Sequence, residues 1–88
     1  MWINKKRFQI EEASSLAGVE KTIILQWIEN EWLSPAEPEP LHLDEEDVAR
    51  ARLIQNLIED FGVNREGISI VLHVLDQLHY LQNRAISR

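Results

Sequence analysis

All three prolines of the chain fall in one short run, Ser34-Pro35-Ala36-Glu37-Pro38-Glu39-Pro40. Proline supplies no backbone donor and pushes the residue before it out of the helical region. Any helix on either side must therefore end before this run and begin again after it. Each flank is too small to fold alone, so the run is a loop inside a single domain spanning 1–88 and not a linker. On leaving it, Leu41-His42-Leu43 alternates apolar and polar as a short strand does. Loop and strand together, about 33–43, predict a β-hairpin wing.

Upstream, Met1 to Phe8 reads as an extended lead-in that can form a short edge strand, and from Ile10 the spacing turns helical. Ile10, Ala13, Leu16 and Ala17 share a face, and Gly18 stops the helix, because glycine enters the left-handed region without steric cost. A second run from about Glu20 to Glu31 should bury Ile24, Trp27 and Ile28, with Trp32 also at a core-facing position. Glu20 caps it more weakly than Ser or Asp would. Two short helices about a Gly-Val turn, over about 10–31, make a helix-turn-helix pattern.

Downstream, Asp44 is a strong N-cap, with Glu45, Glu46 and Asp47 in the first turn where the helix dipole favours negative charge. Glu46 and Arg50 form an i, i+4 pair on the same helix, about 44–61. Its buried stripe should be Ile54, Leu57, Ile58 and Phe61, and Gly62 ends it. A last, long helix over about 65–85 is apolar almost all round: Ile68, Ile70, Val71, Leu72, Val74, Leu75 and Leu78. One covering neighbour cannot bury that many directions. Ile68, Val71, Leu75 and Leu78 follow a 3-4-3 spacing that suits a helix seam. That seam serves either a homodimer through the last helix or packing onto the chain's own helices. The fold class predicted is mainly α with a minor β wing.

The chain has 88 residues, with 15 acidic against 9 basic, a formal net charge of −6 and no cysteine. Without Cys there is no disulfide, thiolate zinc site or cysteine nucleophile. The glycines, Gly18, Gly62 and Gly67, sit at helix ends, and no phosphate loop is present. No Ser has a patterned His and acid beside it. His73 and His79 are six apart, a poor helical spacing for a metal, and His42 lies in another segment; Asp76 between the first two suits surface hydrogen bonds. The expectation is therefore no enzyme, no cofactor and no metal. No apolar run exceeds three residues (Ile23-Ile24-Leu25 is one), whereas a membrane span needs about 20, so a cytoplasmic, membrane-free protein is expected. Nucleic acid is bound largely through Lys and Arg, and the balance here opposes it. Residues 29–60 hold Glu29, Glu31, Glu37, Glu39, Asp44, Glu45, Glu46, Asp47, Glu59 and Asp60 against Arg50 and Arg52. Such an acidic middle favours a basic partner.

The order of these elements resembles the MerR-type winged-helix domain over residues 8–61. The likeness is carried by Phe8-Gln9-Ile10-Glu11-Glu12-Ala13, the turn Gly18-Val19, Trp32-Leu33-Ser34-Pro35 and Leu43-Asp44-Glu45-Glu46-Asp47. Within that superfamily the chain is more similar to the chaperone-modulator branch, the CbpM-like proteins, over Leu43-Asp44-Glu45 and again over Gly67-Ile68, Leu72 and Asp76 through to Leu81. That resemblance implies a small cytosolic protein that binds the J-domain of a DnaJ-like, CbpA-type co-chaperone and inhibits it by obstructing contact with the DnaK-type chaperone. The J-domains it implies as partners carry a basic helical face, which suits the acidic middle. The partner-binding residues expected are Glu45, Glu46, Glu59 and Asp60 for steering, with Val71 and Val74 as apolar anchors. The alternative is a MerR-like transcriptional regulator that binds DNA as a dimer, with Lys5, Lys6, Arg7 and Lys21 in its favour. Against it, DNA-binding relatives typically carry an Arg followed by aromatics in the second helix, where this chain has Leu25-Gln26-Trp27 with Glu29 and Glu31 beyond. A phosphate-positioning contact is thereby lost.

Overall fold

The computed structural model describes residues 6–35 and 37–86; of the expected lead-in, positions 1–5 lie outside the described residues. Within them the chain runs β1 (Arg7–Phe8), α1 (Ile10–Ala17), α2 (Lys21–Glu29), β2 (Glu37–Pro38), β3 (Leu41–Asp44), α3 (Glu45–Phe61) and α4 (Arg65–Ile86). The mainly helical, winged architecture expected from the periodicity is the one found. The chain divides into two compact units, Met1–Asn56 and Leu57–Arg88.

In the first unit the three strands form an antiparallel sheet in the order β1-β3-β2. Arg7 pairs with Asp44 and Phe8 with Leu43, while Glu37 pairs with His42 and Pro38 with Leu41. The last pair closes the wing hairpin over Glu39-Pro40, whose peptide bond is cis. Proline fits there because β2 is an edge strand. The core beneath is built from Ala13, Ala17, Val19, Ile24, Trp27, Trp32, Leu33, Leu43, Ala51 and Ile54, all buried. Fully burying a side chain such as Ile24 or Ile54 contributes about 1.5–3 kcal/mol.

Two glycine-type turns set the element ends. Gly18 closes α1 at φ 71, its N–H and that of Val19 both donating to the Ser14 carbonyl, at 2.9 and 3.2 Å. The Ser14 hydroxyl returns a bond to the Val19 carbonyl, which pins the helix-turn-helix corner. Glu20 sits at the N-cap of α2 with no side-chain bond, as its poor capping chemistry predicts. At its other end α2 stops at Glu29, short of the expected Glu31. There Glu31 takes φ 65, its N–H donating to the Ile28 carbonyl at 3.0 Å and the Trp32 N–H to the Trp27 carbonyl at 2.9 Å. This is a Schellman closure with glutamate where glycine is usual. The accompanying apolar contact is made by Trp27 and Trp32, ring centroids 6.3 Å apart. Both tryptophans are core, as expected.

The buried stripes need three corrections. Leu16 is 50% exposed, because the inner face of α1 centres on Ala13 and Ala17, about 80° round the helix from it. On α3, Ile54 is fully buried and Leu57 half-buried, but Ile58 is 36% and Phe61 74% exposed. Helical spacing names a face; it does not say how far along the helix a neighbour covers that face.

The second unit holds the end of α3, a turn and α4. Gly62 turns the chain at φ 64, with the Gly62 N–H on the Ile58 carbonyl at 3.1 Å and the Val63 N–H on the Leu57 carbonyl at 3.0 Å. Asn64 then caps α4, its side-chain oxygen accepting from the Gly67 N–H at 2.8 Å. Gly67 faces that turn closely: a Cβ on it would stand 2.6 Å from Val63 Cγ1. Along α4, Ile68 and Leu72 are buried and Val71 and Leu75 half-buried.

Candidate functional site

The expected partner-binding acids fall at the two ends of α3. Glu45 and Glu46 are exposed in its first turn, Glu59 and Asp60 exposed in its last. Those in the first turn have a structural reason to be there. Asp44 Oδ1 accepts the Asp47 N–H at 2.9 Å and Asp47 Oδ2 accepts the Asp44 N–H at 3.0 Å, a reciprocal capping box. The expected cap is thus found, and a partner carboxylate with it.

Asp47 is only 7% exposed. With Ala13, Ala17, Ile24, Leu33, Leu43, Val48 and Ala51 it lines one small, mostly apolar space in the first unit. Burial pushes its carboxyl up to about 6, the charges of Asp44 and Glu46 adding to the rise while the Asp44 N–H opposes it. Arg50, on the same helix, donates from Nε to the Trp32 carbonyl at 2.6 Å, tying α3 to the end of α2.

The helix-turn-helix face is poorly equipped for phosphate. Lys21 Nζ lies 3.3 Å from Glu11 Oε2, so one of the four cations that favour a DNA reading has a carboxylate beside it. The Glu11 backbone N–H and the Lys21 ammonium hold that carboxyl below its ordinary value. Ile23 and Leu25 are exposed on α2. Among the described residues no cluster of three His, Cys, Asp or Glu side chains could hold a metal, and no helix is long and apolar enough to cross a membrane.

The apolar excess of α4 is the larger exposed feature. Ile70, Val74, Leu78 and Leu81 are 48–64% exposed, and at about 100° per residue they fall within about 80° of one another. Ile68 and Leu72 lie on a different side of the helix, about 140° round from that stripe. Of the two expected anchors, Val74 belongs to the stripe and Val71 is half-buried beside it. Ile70 and Leu81 were not among the expected site residues, and neither was Phe61. The signal was available for Ile70, since a helix apolar on every side must leave one side uncovered. For Phe61 the periodicity pointed the other way.

A family comparison agrees with the helix-turn-helix: residues 8–87 match the family described as MerR HTH family regulatory protein. The chain belongs to that family. Among curated proteins it is similar to the "Chaperone modulatory protein CbpM" of Coxiella burnetii, in strains Dugway 5J108-111 and RSA 331 / Henzerling II. Each is 27% identical over 78 residues, covering 86% of this chain and 74% of the relative. The expected likeness to the chaperone-modulator branch is therefore found, at a distance. No solved structure matches the chain.

Proposed function

We propose that this chain is a chaperone modulator. It binds the J-domain of a DnaJ-like, CbpA-type co-chaperone and obstructs that domain's contact with a DnaK-type chaperone, acting in the cytoplasm with no catalysis of its own. The observation that carries this reading is the similarity to chaperone modulatory protein CbpM over 86% of the chain. The charge of −6 supports it, since a negative surface attracts a cationic polypeptide and repels nucleic acid. The Glu11–Lys21 pair supports it too, by neutralising a cation on the face a DNA reader would use. We also propose that the exposed stripe of α4, Ile70, Val74, Leu78 and Leu81, pairs with that of a second copy; of the seam expected from spacing it holds Leu78 alone, since Ile68 is buried and Val71 and Leu75 are half-buried.

The test is a titration of the purified J-domain with this chain, read by calorimetry, alongside J-domain-stimulated ATP hydrolysis by the DnaK-type chaperone. Saturable binding with loss of the stimulated rate is expected. Binding that leaves stimulation intact would remove the obstruction mechanism, and no binding would remove the partner. The DNA-binding alternative is favoured by the family match. It predicts retention on immobilised duplex DNA that falls steeply with salt.

A further inference from the structure

Four consecutive residues at the end of α3, Ile58, Glu59, Asp60 and Phe61, combine features that folding does not account for. Phe61 is 74% exposed and Ile58, one turn back on the same side, is 36% exposed. An exposed phenyl ring and isoleucine at i, i+3 form one apolar knob. Between them, Glu59 and Asp60 are exposed in the last helical turn, which holds no basic residue. The carbonyl end of a helix carries partial negative charge, so carboxylates there work against the helix. The acids in the first turn of α3 stabilise it; these two do the reverse. Residues that weaken their own helix and stand in solvent beside an uncovered aromatic ring are placed for a partner.

We propose that Ile58 and Phe61, flanked by Glu59 and Asp60, are the anchor at which this chain holds a cationic surface of its protein partner. The proposal rests on the chaperone-modulator reading and gives that reading a location. The ring supplies an apolar contact and a face on which an Arg or Lys stacks. The two carboxylates complement the positive rim and raise the association rate. Charge complementarity selects this occupant: Glu59 and Asp60 stand exposed in a helical turn that holds no basic residue, and a cationic surface is what they complement.

The experiment uses the full chain and the J-domain of a DnaJ-like co-chaperone, with binding rates measured at several salt concentrations. Phe61→Ala should weaken binding by about 30-fold or more, the size of a hot-spot loss, with an unchanged melting temperature. Glu59→Lys with Asp60→Lys should slow association and flatten its salt dependence while raising the melting temperature. A merely structural role cannot produce those opposite signs. Glu12→Lys with Glu20→Lys makes the same change in net charge at exposed positions outside the acidic middle and should keep the wild-type affinity. If the wild-type chain binds and the Phe61 and Glu59/Asp60 variants bind equally well, the anchor is overturned and the chaperone-modulator reading stands. If the wild-type chain does not bind the J-domain, that reading falls. The anchor is then decided by titrating an amphipathic helical Leu/Lys peptide: amide shifts centred on 58–61 support it, and shifts elsewhere or none overturn it. Loss of self-association in Phe61→Ala, with partner binding intact, would reassign the knob to a contact between copies.

Discussion

At the residue scale, strain and burial sit at two acidic side chains. Glu31 is the non-glycine residue with positive φ among those described, at φ 65. An L-residue held there costs about 1–2 kcal/mol, some of which glycine would return in unfolded-chain entropy. Glu31→Gly should therefore stabilise the fold by about 1 kcal/mol and raise the melting temperature by about 4–8 °C, read by thermal circular dichroism. Asp47 places a carboxyl inside the first unit's core with its ionisation pushed up to about 6, chiefly by burial. The unfolded value is about 3.9, so the folded state holds the proton more tightly. This group's favourable contribution is then complete below about pH 4 and declines as pH rises through about 6. Asp47→Asn keeps an acceptor for the Asp44 N–H and carries no charge. Its stability relative to wild type should improve from pH 4.5 to pH 7.5, a window of about three units that brackets the folded value of about 6; urea midpoints at both values check it. The Asp44 cap was legible in the sequence because capping chemistry is local. The burial of Asp47 was not, because an aspartate in the first turn looks the same whether that turn faces water or a core.

At the scale of elements, the turn into α4 explains a glycine that sequence alone marked only as sitting near a helix end. Gly67 is an interior position of the first turn of α4, where glycine costs about 1 kcal/mol in helix propensity. It is there because Val63 occupies the space of a side chain: a Cβ would come within 2.6 Å of Val63 Cγ1 and 3.2 Å of Asn64 Oδ1. A β-branched valine has little freedom to turn away. Gly67→Ala should then destabilise the protein by about 1–3 kcal/mol despite alanine's better propensity. Val63→Ala in the same chain should recover part of that loss, and denaturant unfolding of the two single variants and the double variant measures the coupling. Helix starts and stops were read closely from caps, prolines and glycines, α3 beginning one residue after its Asp44 cap and α4 at Arg65. The early end of α2 escaped because a Schellman closure without glycine leaves no local mark.

At the scale of the whole molecule, a net charge of −6 and an exposed apolar stripe on α4 are what the chain presents to solvent. Val74→Glu with Leu78→Glu should leave helicity unchanged, since both side chains are exposed, and abolish self-association, observed as a shift to monomer mass by sedimentation. Unchanged association would remove α4 as the contact between copies. The sequence by itself determined the order of elements, the helix-turn-helix, the wing and the tryptophan core, because turn chemistry and hydrophobic period act over a few residues. It also determined the chain's own net charge of −6, because charge needs no fold to be counted. Only the tertiary structure decided which apolar side chains remain in water. Ile54 and Phe61 share a helical stripe, yet one is fully buried and the other 74% exposed. Burial depends on what covers a face, and the covering residues come from distant parts of the chain.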